Sequence, residues 1–173
     1  EPKTAILLRK LKAAGAIVGV YCGPDSTDPR VAEQLRREGI TVESSRAWTA
    51  EQAHEAALRL LDKIQPNIII DDGASFARLA SFERPELTAN LIGVAEETTS
   101  GVRAFQQMQE AGALTYSVVA VNDSVLKTGF DNAHGTGETC VTTMQRILGE
   151  HAFDGKNVTV IGYGPVGQGF ARR

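Results

Sequence analysis

Short apolar runs alternate with segments of helical period along almost the whole chain, and this alternation constrains the fold more than any other feature. AIVGVYC (16–22), ITVES (40–44), NIIID (67–71), LIGVA (91–95) and VVAV (118–121) each read as a strand. The segments between them carry helix boundaries. TAILLRKLKAA (4–14) is closed by Gly15, in the usual place past a helix end. Asp28 before Pro29 supplies an N-cap with proline at the first helical position, opening a helix that runs to Gly39. Thr49-Ala50-Glu51-Gln52 fits a capping box and opens a helix that ends before Pro66. Further helices are expected at 74–81, 100–111 and about 137–148. Strands joined by helices at this spacing predict an α/β chain: a parallel sheet with helices on both faces, Rossmann-like.

Sheets of this kind bind ligands just beyond the C-terminal ends of their strands. The residues that follow each apolar run are therefore the candidate site. They are Cys22-Gly23-Pro24-Asp25, Asp71-Asp72-Gly73, Glu96-Glu97-Thr98-Thr99-Ser100 and Asn122-Asp123. Carboxylates repel phosphate but accept two hydrogen bonds at once from a vicinal diol, so this crevice suits a ribose or similar polyol. The last edge opens VNDSVLKTGFDNAHGTGET (121–139), which gathers Asn122, Asp123, Lys127, Asp131 and Asn132. Lys127 and Asp131 are four apart, and a helical turn between them would bring both to one point.

VTVIGYGPVGQGF (158–170) holds Gly162, Gly164 and Gly167 in G-x-G-x-x-G spacing directly after an apolar run and at the opening of a helical one. In that context Gly162 makes the tight turn, Gly164 lets backbone approach a pyrophosphate, and Gly167 allows close helix–strand packing. The acidic residue expected about 20 positions later falls past Arg173.

The net charge of −3, with no basic run, offers nothing to nucleic acid. No apolar stretch approaches the ~20 residues of a membrane helix, and EPKTAILLRK has none of the sections of a signal peptide, so a cytoplasmic protein is expected. Cys22 and Cys140 read as reduced thiols, and no His, Cys and acid spacing forms a metal site. Glu at position 1 and the open-ended GFARR at the close point to a longer protein.

DDG (71–73), EETTSGV (96–102), NDSVLKTGFDN (122–132), GTGET (135–139) and GYGPVGQG (162–169) stand in the order and spacing of the S-adenosylhomocysteine hydrolases, and the chain resembles that family over essentially its whole length. The resemblance implies a substrate domain over 1–154 and the first strand, glycine loop and helix start of an NAD-binding domain over 155–173. Carried over motif by motif, it assigns Asp72, Glu97, Lys127 and Asp131 to the substrate ribose, with Asp72, Lys127 and Asp131 catalytic and Lys127 the acceptor of the 3′-hydroxyl proton. Thr98, Thr99, Ser100 and Asn132 fall to the nicotinamide-ribose side of NAD. Gly162, Gly164, Pro165, Val166, Gly167, Gln168 and Gly169 fall to the glycine loop under the pyrophosphate. The activity implied is reversible, NAD-dependent hydrolysis of S-adenosyl-L-homocysteine to adenosine and L-homocysteine through a 3′-keto intermediate. That is a step of the methyl cycle, carried out by a homo-oligomer (tetramer or dimer). The alternatives are a hydrolase of a related thioether nucleoside such as S-inosylhomocysteine, and a catalytically silent NAD-binding regulatory homologue. The chain departs from the family pattern at Ser75, where an acid is usual, at Ser26-Thr27-Asp28-Pro29, which lacks a Gln, and at His134 and Thr136, where Tyr and Cys are common.

Overall fold

The computed structural model describes residues 2–173. Helix α1 (Pro2–Ala13) ends at Gly15, whose φ of 94° suits a residue without Cβ. Strand β1 (Gly19–Cys22) leads through a short 3₁₀ turn to α2 (Pro29–Arg37). Asp28 caps α2 as expected, its Oδ1 accepting from the amides of Arg30 and Val31. After β2 (Thr41–Ser44), the capping box forms at the start of α3 (Ala50–Ile64). There the Gln52 amide donates to Thr49 Oγ1 at 3.2 Å and the Thr49 amide to Gln52 Oε1 at 3.0 Å. The helix stops where Gln65 turns left-handed (φ 46°) ahead of Pro66.

Strands β3 (Ile68–Asp71), β4 (Gly93–Glu96) and β5 (Val118–Ala120) follow, with α4 (Ser75–Glu83), α5 (Pro85–Thr88) and α6 (Thr99–Glu110) between them. All strand pairs are parallel, and the α/β class is borne out. The ladders form two sheets, β1–β2 and β3–β4–β5. In the first, helices cover both faces. Val18 and Val20 pack with Ala5, Leu8 and Leu35 of α1 and α2, while Gly19 faces Leu60 and Ile64 of α3 so closely that a Cβ there would collide. In the second sheet, Ile69 and Val94 pack against Ala77, Phe105, Met108 and Tyr116, with the Phe105 and Tyr116 rings edge to face at 6.4 Å. Its other face presents Ile68, Ile70 and Val119 to the outside. The Tyr21 and Phe76 rings, stacked at 6.0 Å, join β1 to α4.

Two elements differ from expectation. Residues 125–137 form a wide π-helix, Val125–Gly137, which continues into α7 (Glu138–Leu148). The VTVI stretch ahead of the glycine motif makes no ladder; Ile161 is 97% exposed, and α8 (Pro165–Ala171) follows it directly. An extended segment becomes a strand only by pairing its backbone, and no strand among the described residues pairs with this one.

Candidate active site

Strand alternation sorts the acids at the sheet edge into two kinds. The buried positions of β3 and β4 are every second residue, and the last of each is an acid. Asp71 and Glu96, partners in the parallel register, therefore turn inward. Asp72 and Glu97, one residue further on, are exposed at the lip. The expected crevice of carboxylates is made by the second pair only, because backbone amides engage the first. Asp71 accepts from the amides of Asp72 (2.9 Å), Phe76 (3.4 Å) and Ala77 (2.8 Å). Burial nevertheless holds its carboxyl above the ordinary carboxylate range, outweighing those hydrogen bonds. Glu96 accepts from the amides of Gly73 (2.8 Å), Ala74 (2.9 Å) and Thr98 (2.7 Å).

At the lip, Thr98 Oγ1 donates to Asp72 Oδ1 and lies 2.8 Å from Glu97 Oε2. Thr99 and Ser100 are exposed on the first turn of α6. Beyond β5, Asn122 is buried, and its Oδ1 accepts from Thr99 Oγ1 at 3.1 Å and from Lys127 Nζ at 3.2 Å. Lys127 Nζ also lies 3.3 Å from Glu97 Oε1. The π-helix that carries Lys127 starts at Ser124, whose hydroxyl accepts from the Lys127 amide. π-helical turns are frequent at functional sites.

Asp72, Glu97, Thr98, Thr99, Ser100, Lys127 and Asn132 together line one open cavity of about 570 Å³, with Val166 of α8 also in its wall. That volume lies within the range of small-ligand pockets. Asp131 does not line it. Its side chain is exposed and leans along its own helix, where a Cβ on Gly135 would strike it. The expected convergence of Lys127 and Asp131 is therefore replaced by Lys127 with Glu97 and Asn122. An i→i+5 bonded turn does not align residues four apart as an α-turn does.

The glycine motif is not part of the cavity wall apart from Val166. Gly162 (φ 93°) makes the turn, and a Cβ on Gly162 or Gly164 would meet nothing within 4 Å. Gly167 sits against the Gly162 carbonyl, and Gln168 Nε2 donates to the Tyr163 carbonyl at 3.2 Å. Gly169 is buried against the Ala133 backbone, and Gly137 against Val166 and Phe170, so α8 crosses the π-helix at two glycines. Pro165 stands at the first position of α8.

A sequence model of the S-adenosyl-L-homocysteine hydrolase family matches residues 77–148. Over its full length the chain is 43% identical to an adenosylhomocysteinase of Pyrococcus abyssi, of which it covers 41%, and 42% identical to one of Thermotoga maritima, of which it covers 43%. It is 40% identical, again over its full length, to an S-inosyl-L-homocysteine hydrolase of Methanopyrus kandleri, of which it covers 41%. The chain is thus similar to the S-adenosyl-L-homocysteine hydrolases over its whole length. It spans about two fifths of the length of these curated relatives.

The family match at 77–148 runs from α4 to α7 and includes Glu97, Lys127 and Asn132, while Asp72 and the glycine loop lie within the full-length similarity alone. The sequence reading gave no site role to Arg103 or Thr136, which line the cavity, and none of its own to Asn122. Arg103 lines the cavity and is four residues from Thr99 on α6, a spacing that would have found it. Thr136 also lines it, from the same π-helix as Asn132. Asn122 was read as part of a polar cluster; its place as the link between Thr99 and Lys127 carries no local signal.

Proposed function

We propose that the protein catalyses reversible, NAD-dependent hydrolysis of S-adenosyl-L-homocysteine to adenosine and L-homocysteine through a 3′-keto intermediate. The observation that carries this reading is that Lys127, Asp72, Glu97, Asn132 and Val166 of the glycine-motif helix line one cavity. The carboxylates of Asp72 and Glu97 accept from the ribose hydroxyls, and Lys127 takes the 3′-hydroxyl proton at Nζ. Asn122 Oδ1 accepts from the lysine, and the Glu97 carboxylate stabilises the ammonium that forms when Nζ holds the proton. Asp131 joins the ribose by a rotamer change away from Gly135.

The bare backbone of Gly162 and Gly164 fits close approach by a pyrophosphate, with Pro165 and Gln168 shaping the loop and Gly167 and Gly169 setting its packing. Thr98, Thr99, Ser100 and Asn132 would hold the nicotinamide ribose. NAD, when bound, supplies a reversible two-electron acceptor for the carbon that carries the 3′-hydroxyl. In this reading residues 1–154 serve the substrate and 155–173 open the cofactor domain of a cytoplasmic homo-oligomer. No helix of the described residues is long and apolar enough to cross a membrane.

The test is incubation of the full-length protein with S-adenosyl-L-homocysteine, with mass spectrometry of the products. Adenosine and homocysteine without accumulation of reduced nicotinamide are expected. Net accumulation would make the protein an ordinary dehydrogenase, and absence of product a silent homologue. Relatives named as S-inosyl-L-homocysteine hydrolases favour a second reading in which the base is hypoxanthine. Running the inosyl substrate in parallel decides between the two.

A further inference from the structure

Glu96 has no exposed surface, and no cation among the described residues pairs with it. Its partners are three backbone amides drawn from two different loops. Gly73 and Ala74 follow β3 and Thr98 follows β4. Gly73 (φ 85°) and Ala74 (φ 58°) turn with positive φ, and their successive N–H groups both donate to the Glu96 carboxylate. A Cβ on Gly101 would overlap that carboxylate, so α6 closes the niche and leaves it no second position.

Each amide that Glu96 holds is within two residues of a cavity side chain. Gly73 follows Asp72, and Thr98 follows Glu97 and itself lines the cavity. Oε1 accepts from both the Gly73 and the Thr98 amides and Oε2 from Ala74, so one carboxylate ties the loop of Asp72 to the Glu97–Thr98 pair. We propose that Glu96 is a positioning residue for the reaction proposed above, fixing the separation of the carboxylates that grip the ribose. This rests on that functional reading. Glutamine at the position would turn an NH₂ against at least one of the three amides, and the loops would part to relieve the donor–donor contact. Displacement of a reacting group by as little as about 1 Å can cost about 10²-fold in rate.

The experiment compares Glu96→Gln with Val94→Ala in the full-length protein. Val94 is a buried apolar neighbour on the same strand and the same face, and its truncation loosens the core without touching either loop. Single-turnover mixing with adenosine reads formation of reduced nicotinamide, and titration calorimetry reads adenosine affinity. Glu96→Gln is expected to lower the rate about 10²-fold and to weaken adenosine binding while the bound NAD content is kept. Val94→Ala is expected to lower the melting temperature and leave both readings unchanged per folded molecule. Equal rates for Glu96→Gln and wild type, or parallel losses in the two variants, would overturn the proposal. If Glu96→Gln does not fold, a backbone ester at Ala74, which deletes one N–H donor and no side chain, gives the same decision. A wild-type protein that forms no reduced nicotinamide from adenosine overturns both this proposal and the functional reading.

Discussion

Lys127 Nζ lies 3.3 Å from Glu97 Oε1, joining the loop after β4 to the π-helix after β5. The lysine side chain is 16% exposed and the glutamate 50%, so the pair sits at the cavity mouth with the cation on the inner side. Asn122 completes the arrangement from the interior.

Lys127→Met keeps the stem and deletes the amine. In the full-length protein bound NAD is expected to survive, and oxidation at the 3′-position to slow by ~10²–10⁴, the usual share of a general base. Stopped-flow mixing with adenosine measures it. A variant that oxidises adenosine at the wild-type rate removes Lys127 from the mechanism, and one that loses NAD reassigns the lysine to the cofactor.

Gly169→Ala places a Cβ against the Ala133 backbone, where no flexible side chain can give way. Overpacking of this kind costs about 1–3 kcal/mol. Because the glycine loop opens α8, the variant is expected to melt earlier and to lose NAD on gel filtration, with Gly137→Ala behaving alike from the other helix. Wild-type melting and nucleotide content would show that the crossing is looser than the structure has it.

Asp71 gives a pH dependence whose sign follows from burial. Its carboxyl is raised above its unfolded value of about 3.9. Its contribution to stability is therefore fully present below the unfolded value and is lost as pH rises through the raised folded one. Asp71→Asn removes this titration and turns an NH₂ toward one of three amides, at a cost of about 1–3 kcal/mol. Melting curves should show the advantage of wild type over Asp71→Asn widening on acidification from neutral pH and levelling off below about 4. A pH-independent difference would mean that Asp71 titrates normally.

Thr49→Ala removes one half of the capping box on α3, a helix that contributes no residue to the cavity. A loss of about 1 kcal/mol in unfolding free energy is expected, with unchanged adenosine oxidation. Denaturant melts measure the first, and any rate change would connect α3 to the site.

Where the governing physics is short-range, the reading from sequence met the structure. The caps at Asp28 and Thr49, the stop at Gly15 and the alternation of strands with helices along the chain each depend on a few neighbouring residues. The edge residues Asp72, Glu97 and Lys127 were placed together because parallel strands deliver their C-terminal ends to one crevice. Tertiary contact decided the rest. Which acid of each pair turns inward depends on the face that α4 and α6 cover, so Asp71 and Glu96 became anchors and Asp72 and Glu97 the lip. The π-helix, and with it the outward turn of Asp131, has no local signature and is packed against α8 through Gly137 and Gly169. The VTVI run has the composition of a strand, but backbone hydrogen bonds of a parallel ladder come only from a neighbour, and composition cannot supply one.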